Sequence, residues 1–142
     1  MSGSPGGALY SPSLLALAVE LADYSYDPAA ALHGEDRSRT CGSTVSLSAA
    51  ADFSNPGLKV SACAVGQAAS TIFARHCAAM GQDMIASMQG QLESWLGGEG
   101  PMPAWPDLAM LEPARAHPGR HGAILLPWRA AIDALGKARR GS

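Results

Sequence analysis

Across residues 44–53 the apolar side chains Val45, Leu47, Ala49, Ala51 and Phe53 alternate with Thr44, Ser46, Ser48, Ala50 and Asp52. A period of two is that of a β-strand with one buried face, and a helix would scatter those five apolar residues around its circumference. "SNPG" (residues 54–57) supplies a turn. Beyond it Leu58, Val60 and Ala62 alternate with Lys59, Ser61 and Cys63. The pattern predicts an antiparallel hairpin whose second strand delivers Cys63 near its end, on the face opposite the apolar residues. The rest of the chain must then cover the apolar face.

Helical spacing supplies the cover. Pro12 suits the first turn of a helix capped by Ser11, and Leu14, Ala18, Leu21 and Ala22 recur at helical intervals to about residue 24. Residues 27–40 read as a polar loop. "GQAASTIFARH" (66–76) reads as a helix that starts beside Cys63. Met84, Ile85, Met88, Leu92, Trp95 and Leu96 form the clearest amphipathic stripe, closed by Gly97 and Gly98. The Pro-rich stretch 101–118 reads as an ordered connection anchored by Trp105, Leu108 and Leu111. After it, Pro127 at a first turn, with Trp128, Ile132 and Leu135, predicts a C-terminal helix. With 142 residues, 47% of them hydrophobic, the chain has material for one core. The expected organisation is a flexible leader over residues 1–8, a single domain over 9–138 and a tail over 139–142. The expected fold class is α+β: a small antiparallel β-sheet with several helices packed on one face.

Charge narrows the partners. Ten Lys and Arg against twelve Asp and Glu give a net charge of −2, and basic residues are scattered apart from Lys137, Arg139 and Arg140. Nucleic acid is excluded as the main partner, because phosphate binding needs a concentrated positive field. The first basic residue is Arg37, so the N-terminus lacks the positive flank of a signal peptide, and Glu20 stops the short apolar run after Leu14. Neither a membrane span nor a membrane partner is expected, and the location implied is cytoplasmic. Thiols stay reduced there, so an odd count of three cysteines points to metal or sulfur chemistry rather than to disulfides.

Cys41 precedes Gly42, whose missing side chain lets backbone amides approach a sulfur ligand. Cys63 lies just ahead of a helix, where the positive end of the helix dipole favours a thiolate. Both positions suit a metal or a persulfide, although free cysteines also commonly serve as buried filling. Cys77 lies 14 residues beyond Cys63, roughly 20 Å away along one helix, and is read as structural. His33, His76, His117 and His121 complete the candidate donors, and His117 and His121 bracket "PGR" ahead of the C-terminal helix. No Cys-x-x-Cys, phosphate-cradling loop or nucleophile elbow is present, and the chain is not expected to be an enzyme.

"TCGS" (40–43), "SACAVGQAAS" (61–70) and "GRHGAILLPW" (119–128) resemble the three landmark segments of the U-type iron–sulfur cluster assembly scaffolds, the NifU N-terminal-like and SufU-like family. The similarity spans about residues 9–135, and the order of helix, hairpin and helices is similar to that family's α+β fold. The resemblance implies a site of three cysteines and an aspartate that assembles a nascent cluster or holds zinc. It also implies sulfur received from a cysteine desulfurase and recipient iron–sulfur proteins as further partners. By that match Cys41 and Cys63 take the first and second ligand roles. Ser43 stands where the aspartate is expected, and Gly122 where the third cysteine is expected, which makes the chain a divergent member. His121, beside the empty position, is the local substitute, so that the candidate metal ligands are Cys41, Cys63 and His121.

The resemblance leaves three mechanisms open. Cys41, Cys63 and His121 hold a labile iron–sulfur cluster or zinc with an outside ligand; two chains pool four thiolates as a homodimer; or no cofactor is bound, the third cysteine being absent, and the chain accepts sulfur or docks a partner. The competing classes are a zinc-binding structural domain and a metal-free interaction module. Cys41 and Cys63 are expected at one tip of the domain, with Cys77 apart.

Overall fold

The structure is a computed structural model that describes residues 9–141. The leader assigned to residues 1–8 lies outside the described residues, as does Ser142. Helix α1 (Pro12–Glu20) begins as its sequence dictates, with Pro12 in the first turn and Ser11 Oγ accepting from the Leu14 amide at 3.1 Å. A 3₁₀ turn, Leu21–Asp23, ends it.

Three strands follow: β1 (Leu32–Arg37), β2 (Thr44–Ala49) and β3 (Gly57–Ser61), antiparallel in the order β1-β2-β3. Strand β1 is a correction to the loop read over residues 27–40. Only Leu32 and Gly34 of β1 face inward, so its alternation is too short and too polar to register in the sequence. Gly34 is there for close approach: a Cβ would run into the carbonyl oxygen of Ala130 and stand 2.6 Å from the Ala134 amide nitrogen, both on the C-terminal helix. The alternation over 44–53 also overruns its strand. Ala50 N donates to Ser54 O at 3.0 Å and Phe53 takes φ 65°, so Phe53 is a buried residue of the turn.

Helix α2 (Ala64–Leu96) starts at Cys63 and carries a break at Gly81 (φ 80°) that separates the two helical patterns seen in the sequence. It ends as expected: Gly97 N donates to Glu93 O at 3.0 Å, and Gly98 takes φ 81°. Helix α3 (His121–Gly141) begins ahead of Pro127, which therefore lies inside the helix rather than in its first turn. The missing N–H leaves only the Ala123 carbonyl without its helical donor, and the helix runs on through residues 139–141.

The core lies between the sheet and the helices. Phe73 sits at its centre, stacked on Trp105 with ring centroids 5.8 Å apart and edge-on to Trp128 at 5.5 Å. Trp105, Leu108 and Leu111 are buried and anchor the Pro-rich connection, with Trp105 Nε1 donating to Ile72 O at 3.0 Å. Arg75 ties three segments together, pairing with Glu20 of α1 and with Asp107, which His76 Nε2 also meets at 2.7 Å. These contacts confirm the α+β class, with helices on a three-stranded antiparallel sheet.

Candidate functional site

Strand register decides where the cysteines go. Arg37 pairs with Thr44 and Thr44 with Ser61, so the 38–43 turn and the Ala62, Cys63 step lie at the same end of the sheet. The turn is closed by Ser38 N donating to Ser43 O and by Gly42 N donating to Ser38 O, both at 2.8 Å. Gly42 takes φ 74° with nothing within 4 Å of a would-be Cβ, so its role is conformational.

Within that turn the Cys41 thiol is exposed and its Sγ lies 3.4 Å from Ser38 Oγ and 3.0 Å from Ser43 Oγ. These hydroxyls hold its pKa below the ordinary thiol value, Ser38 first and Ser43 next. Ser43 is thus a hydrogen-bonding partner of the sulfur. Cys63 is half-buried and is the N-cap residue of α2, with its carbonyl accepting from the Gln67 amide at 3.0 Å.

The third landmark reaches the same end. A Cβ on Gly122 would collide with Ser38 Oγ and stand 3.3 Å from Ser38 Cβ. A Cβ on Gly66 would stand 3.0 Å from Ala123 Cβ, so the first turn of α3 is wedged between the Cys41 turn and the start of α2. A cleft of about 560 Å³ opens beside this junction, bounded by Arg37, Ser38, Thr40, His121, Gly122 and Arg129.

Cys77 is at the far end. Its buried Sγ donates to the carbonyl of Phe53, beyond the opposite end of β2, and burial pushes its pKa up to about 12. It is a core residue, as its spacing from Cys63 predicts. His121 Nε2 faces the carbonyl oxygens of Ala114 at 3.1 Å and Arg115 at 3.2 Å. Both partners are acceptors, so Nε2 is the donor in these contacts. Among the described residues no three His, Cys, Asp or Glu side chains converge as a metal-holding group, so Cys41, Cys63 and His121 are not a ready-made trio. Ser38, which touches both Cys41 and the third landmark, carried no signal in the sequence, because nothing distinguishes it there from any other loop serine.

No protein-family model and no curated protein matches the sequence. Solved structures do. A nitrogen-fixing NifU-like protein (N-terminal) from Brucella abortus superposes with a TM-score of 0.83 at 25% identity, covering 98% of this chain and 100% of that one. A protein assigned as an iron–sulfur cluster assembly scaffold for the SUF system, from Fervidobacterium islandicum AW-1, gives a TM-score of 0.75 at 20% identity, over 94% and 99% of the two chains. The chain therefore has the U-type scaffold fold of the NifU N-terminal-like and SufU proteins, in a version divergent in sequence.

Proposed function

We propose that this chain is an iron–sulfur cluster assembly scaffold-like protein that takes sulfur, metal or a nascent cluster on Cys41 and Cys63 with an incomplete ligand set. Residues 9–138 act as one scaffold domain, in the cytoplasm, without turnover of its own. The observation that carries the reading is the Cys41 thiol, exposed and flanked by two hydroxyls at the sheet end that also holds Cys63.

That arrangement favours sulfur acceptance over a resident metal. A tetrahedral zinc site needs four converging donors, and the described residues bring no three together. Accepting sulfur needs only a thiolate that is accessible and stabilised. With a cysteine desulfurase as donor, the Cys41 thiolate attacks the terminal sulfur of the donor's persulfide, R–S–SH. A new S–S bond forms to Cys41, the donor's S–S bond breaks, and its electron pair leaves on the donor as a thiolate. The proton stays on the transferred sulfur, so no outside oxidant is required. Building a cluster from that sulfur requires iron and a two-electron reductant, both supplied from outside the chain, to release it as sulfide. It also calls on Cys63 and on the two thiolates of a second chain, after which recipient iron–sulfur proteins take the cluster up.

The test is to incubate the protein with a cysteine desulfurase and cysteine, then map its peptides by mass spectrometry. A gain of one sulfur atom on the Cys41 peptide supports the reading. Sulfur on Cys77, or on no cysteine, overturns it.

A further inference from the structure

Ser38 is the residue at which two features of the site meet. It is 2% exposed, and its backbone is held on both sides by the hydrogen bonds that close the 38–43 turn. In the rotamer that meets Cys41, its side chain fills the space that a side chain at position 122 would need, since a Cβ there collides with the Ser38 hydroxyl and stands 3.3 Å from Ser38 Cβ. The same hydroxyl lies 3.4 Å from Cys41 Sγ. One oxygen therefore excludes a side chain from α3 and partners the thiol.

We propose that Ser38 and Gly122 are a matched pair that sets what the site accepts: Ser38 bars a side-chain ligand at position 122 and hydrogen-bonds Cys41 in its place. Deepening the sulfur-acceptor reading above, the inference rests on it for the role of Cys41 but not for the pairing. The Cys41 thiol needs no cation beside these neighbours: it donates to Ser38 Oγ at 3.4 Å, and Ser43 Oγ at 3.0 Å is placed to donate to the sulfur. A third thiolate at 122 would instead add negative charge that only a cation relieves. The residues present thus fit a hydrogen-bonded thiol and do not fit a metal held by one chain. Ser38 is a specificity and positioning residue in this account, acting through Cys41.

A double-mutant cycle tests the pair. Gly122→Ala places an alanine within a helix, where it is ordinarily stabilising. Here Gly122→Ala should lower the thermal unfolding midpoint with Ser38 present and raise it in the Ser38→Ala background, where the colliding oxygen is gone. Equal effects in the two backgrounds would overturn the pairing. The second arm measures zinc retained per chain against a chelator for Gly122→Cys with and without Ser38→Ala. At least tenfold tighter retention in the double variant is expected, and equal retention would overturn the exclusion. The third arm measures the rate at which Cys41 reacts with a small disulfide at one fixed pH, using Cys63→Ala so that Cys41 is read alone. Ser38→Ala should change that rate at least threefold and Ser38→Thr, which keeps the hydroxyl, should restore it; an unchanged rate in Ser38→Ala would remove Ser38 from the site's chemistry. A coupled cycle in a protein whose Cys41 takes no sulfur from a desulfurase would uphold the pair and refute the sulfur-acceptor reading.

Discussion

Gly34→Ala should be, with Gly57→Ala, one of the two most damaging single-methyl changes in the sheet. A Cβ at Gly34 would run into the Ala130 carbonyl oxygen while standing 2.6 Å from Ala134 N and 2.8 Å from Ala134 Cβ. Two of these atoms are backbone of α3, so no rotamer change relieves the contact. Ordinary separation near 3.4 Å from the Ala130 carbonyl oxygen requires β1 and α3 to part by about 1.4 Å, which opens the seam around Leu32 and breaks dense packing. Overpacking of this kind costs about 1–3 kcal/mol and sometimes more, and the rigidity of both backbones puts Gly34→Ala near the upper end, about 3 kcal/mol. Entropy lost from the unfolded chain returns at most about 1 kcal/mol, leaving a net loss of about 2 kcal/mol or more. For a domain of this size that lowers Tm by roughly 6–8 °C, readable by far-ultraviolet circular dichroism. Because β1 leads into the turn that holds Cys41, thiol reactivity should become more heterogeneous in the same variant. A Tm within about 2 °C of the wild type would refute the argument that backbone contact fixes β1 on α3.

Three further outcomes follow from particular side chains. Ser43→Ala removes the hydroxyl 3.0 Å from Cys41 Sγ, so the pH profile of Cys41 reactivity with a small disulfide should shift to higher pH; an unchanged profile would show that Ser43 does not stabilise the thiolate. Asp107 is held below the ordinary aspartate pKa by His76 first and Arg75 next, so its ionised form contributes stability that is present above about pH 4 and lost as pH falls through the lowered folded value. Asp107→Asn, which tolerates the residue's φ of 72°, should therefore cost about 1 kcal/mol at neutral pH, with the deficit shrinking in acid; a deficit independent of pH would contradict the ion-pair assignment. Cys77 should react with thiol reagents only on unfolding, and Cys77→Ala should cost about 1 kcal/mol while leaving Cys41 reactivity unchanged; rapid labelling of Cys77 in the folded protein would contradict its burial.

Much of this architecture was legible in the sequence because the signals were long and of one period. The hairpin, the stripe ending at Leu96, the Ser11–Pro12 start and the anchoring of Trp105, Leu108 and Leu111 all depend on burial patterns that survive without tertiary context. Strand β1 was not legible: its inward positions are Leu32 and Gly34, and the glycine is there for a helix far along the chain. Pro127 misplaced the start of α3, because proline's preference for a first turn does not forbid a position where only one carbonyl loses its donor. The separation of Cys77 from Cys63 was readable from helical rise alone. The role of Ser38 was not, since it depends on an approach by Gly122 that no local pattern encodes.

The central claim is that sulfur and iron are handled by Cys41 and Cys63 at one end of the sheet, with donors too few on one chain. Anaerobic reconstitution with iron and sulfide, followed by iron and acid-labile sulfide analysis of each size-exclusion fraction, tests it most directly. The account predicts iron and sulfide together only in a two-chain species, lost in Cys41→Ala and in Cys63→Ala and retained in Cys77→Ala. Iron and sulfide held by single chains, or retained after Cys41→Ala, would contradict it.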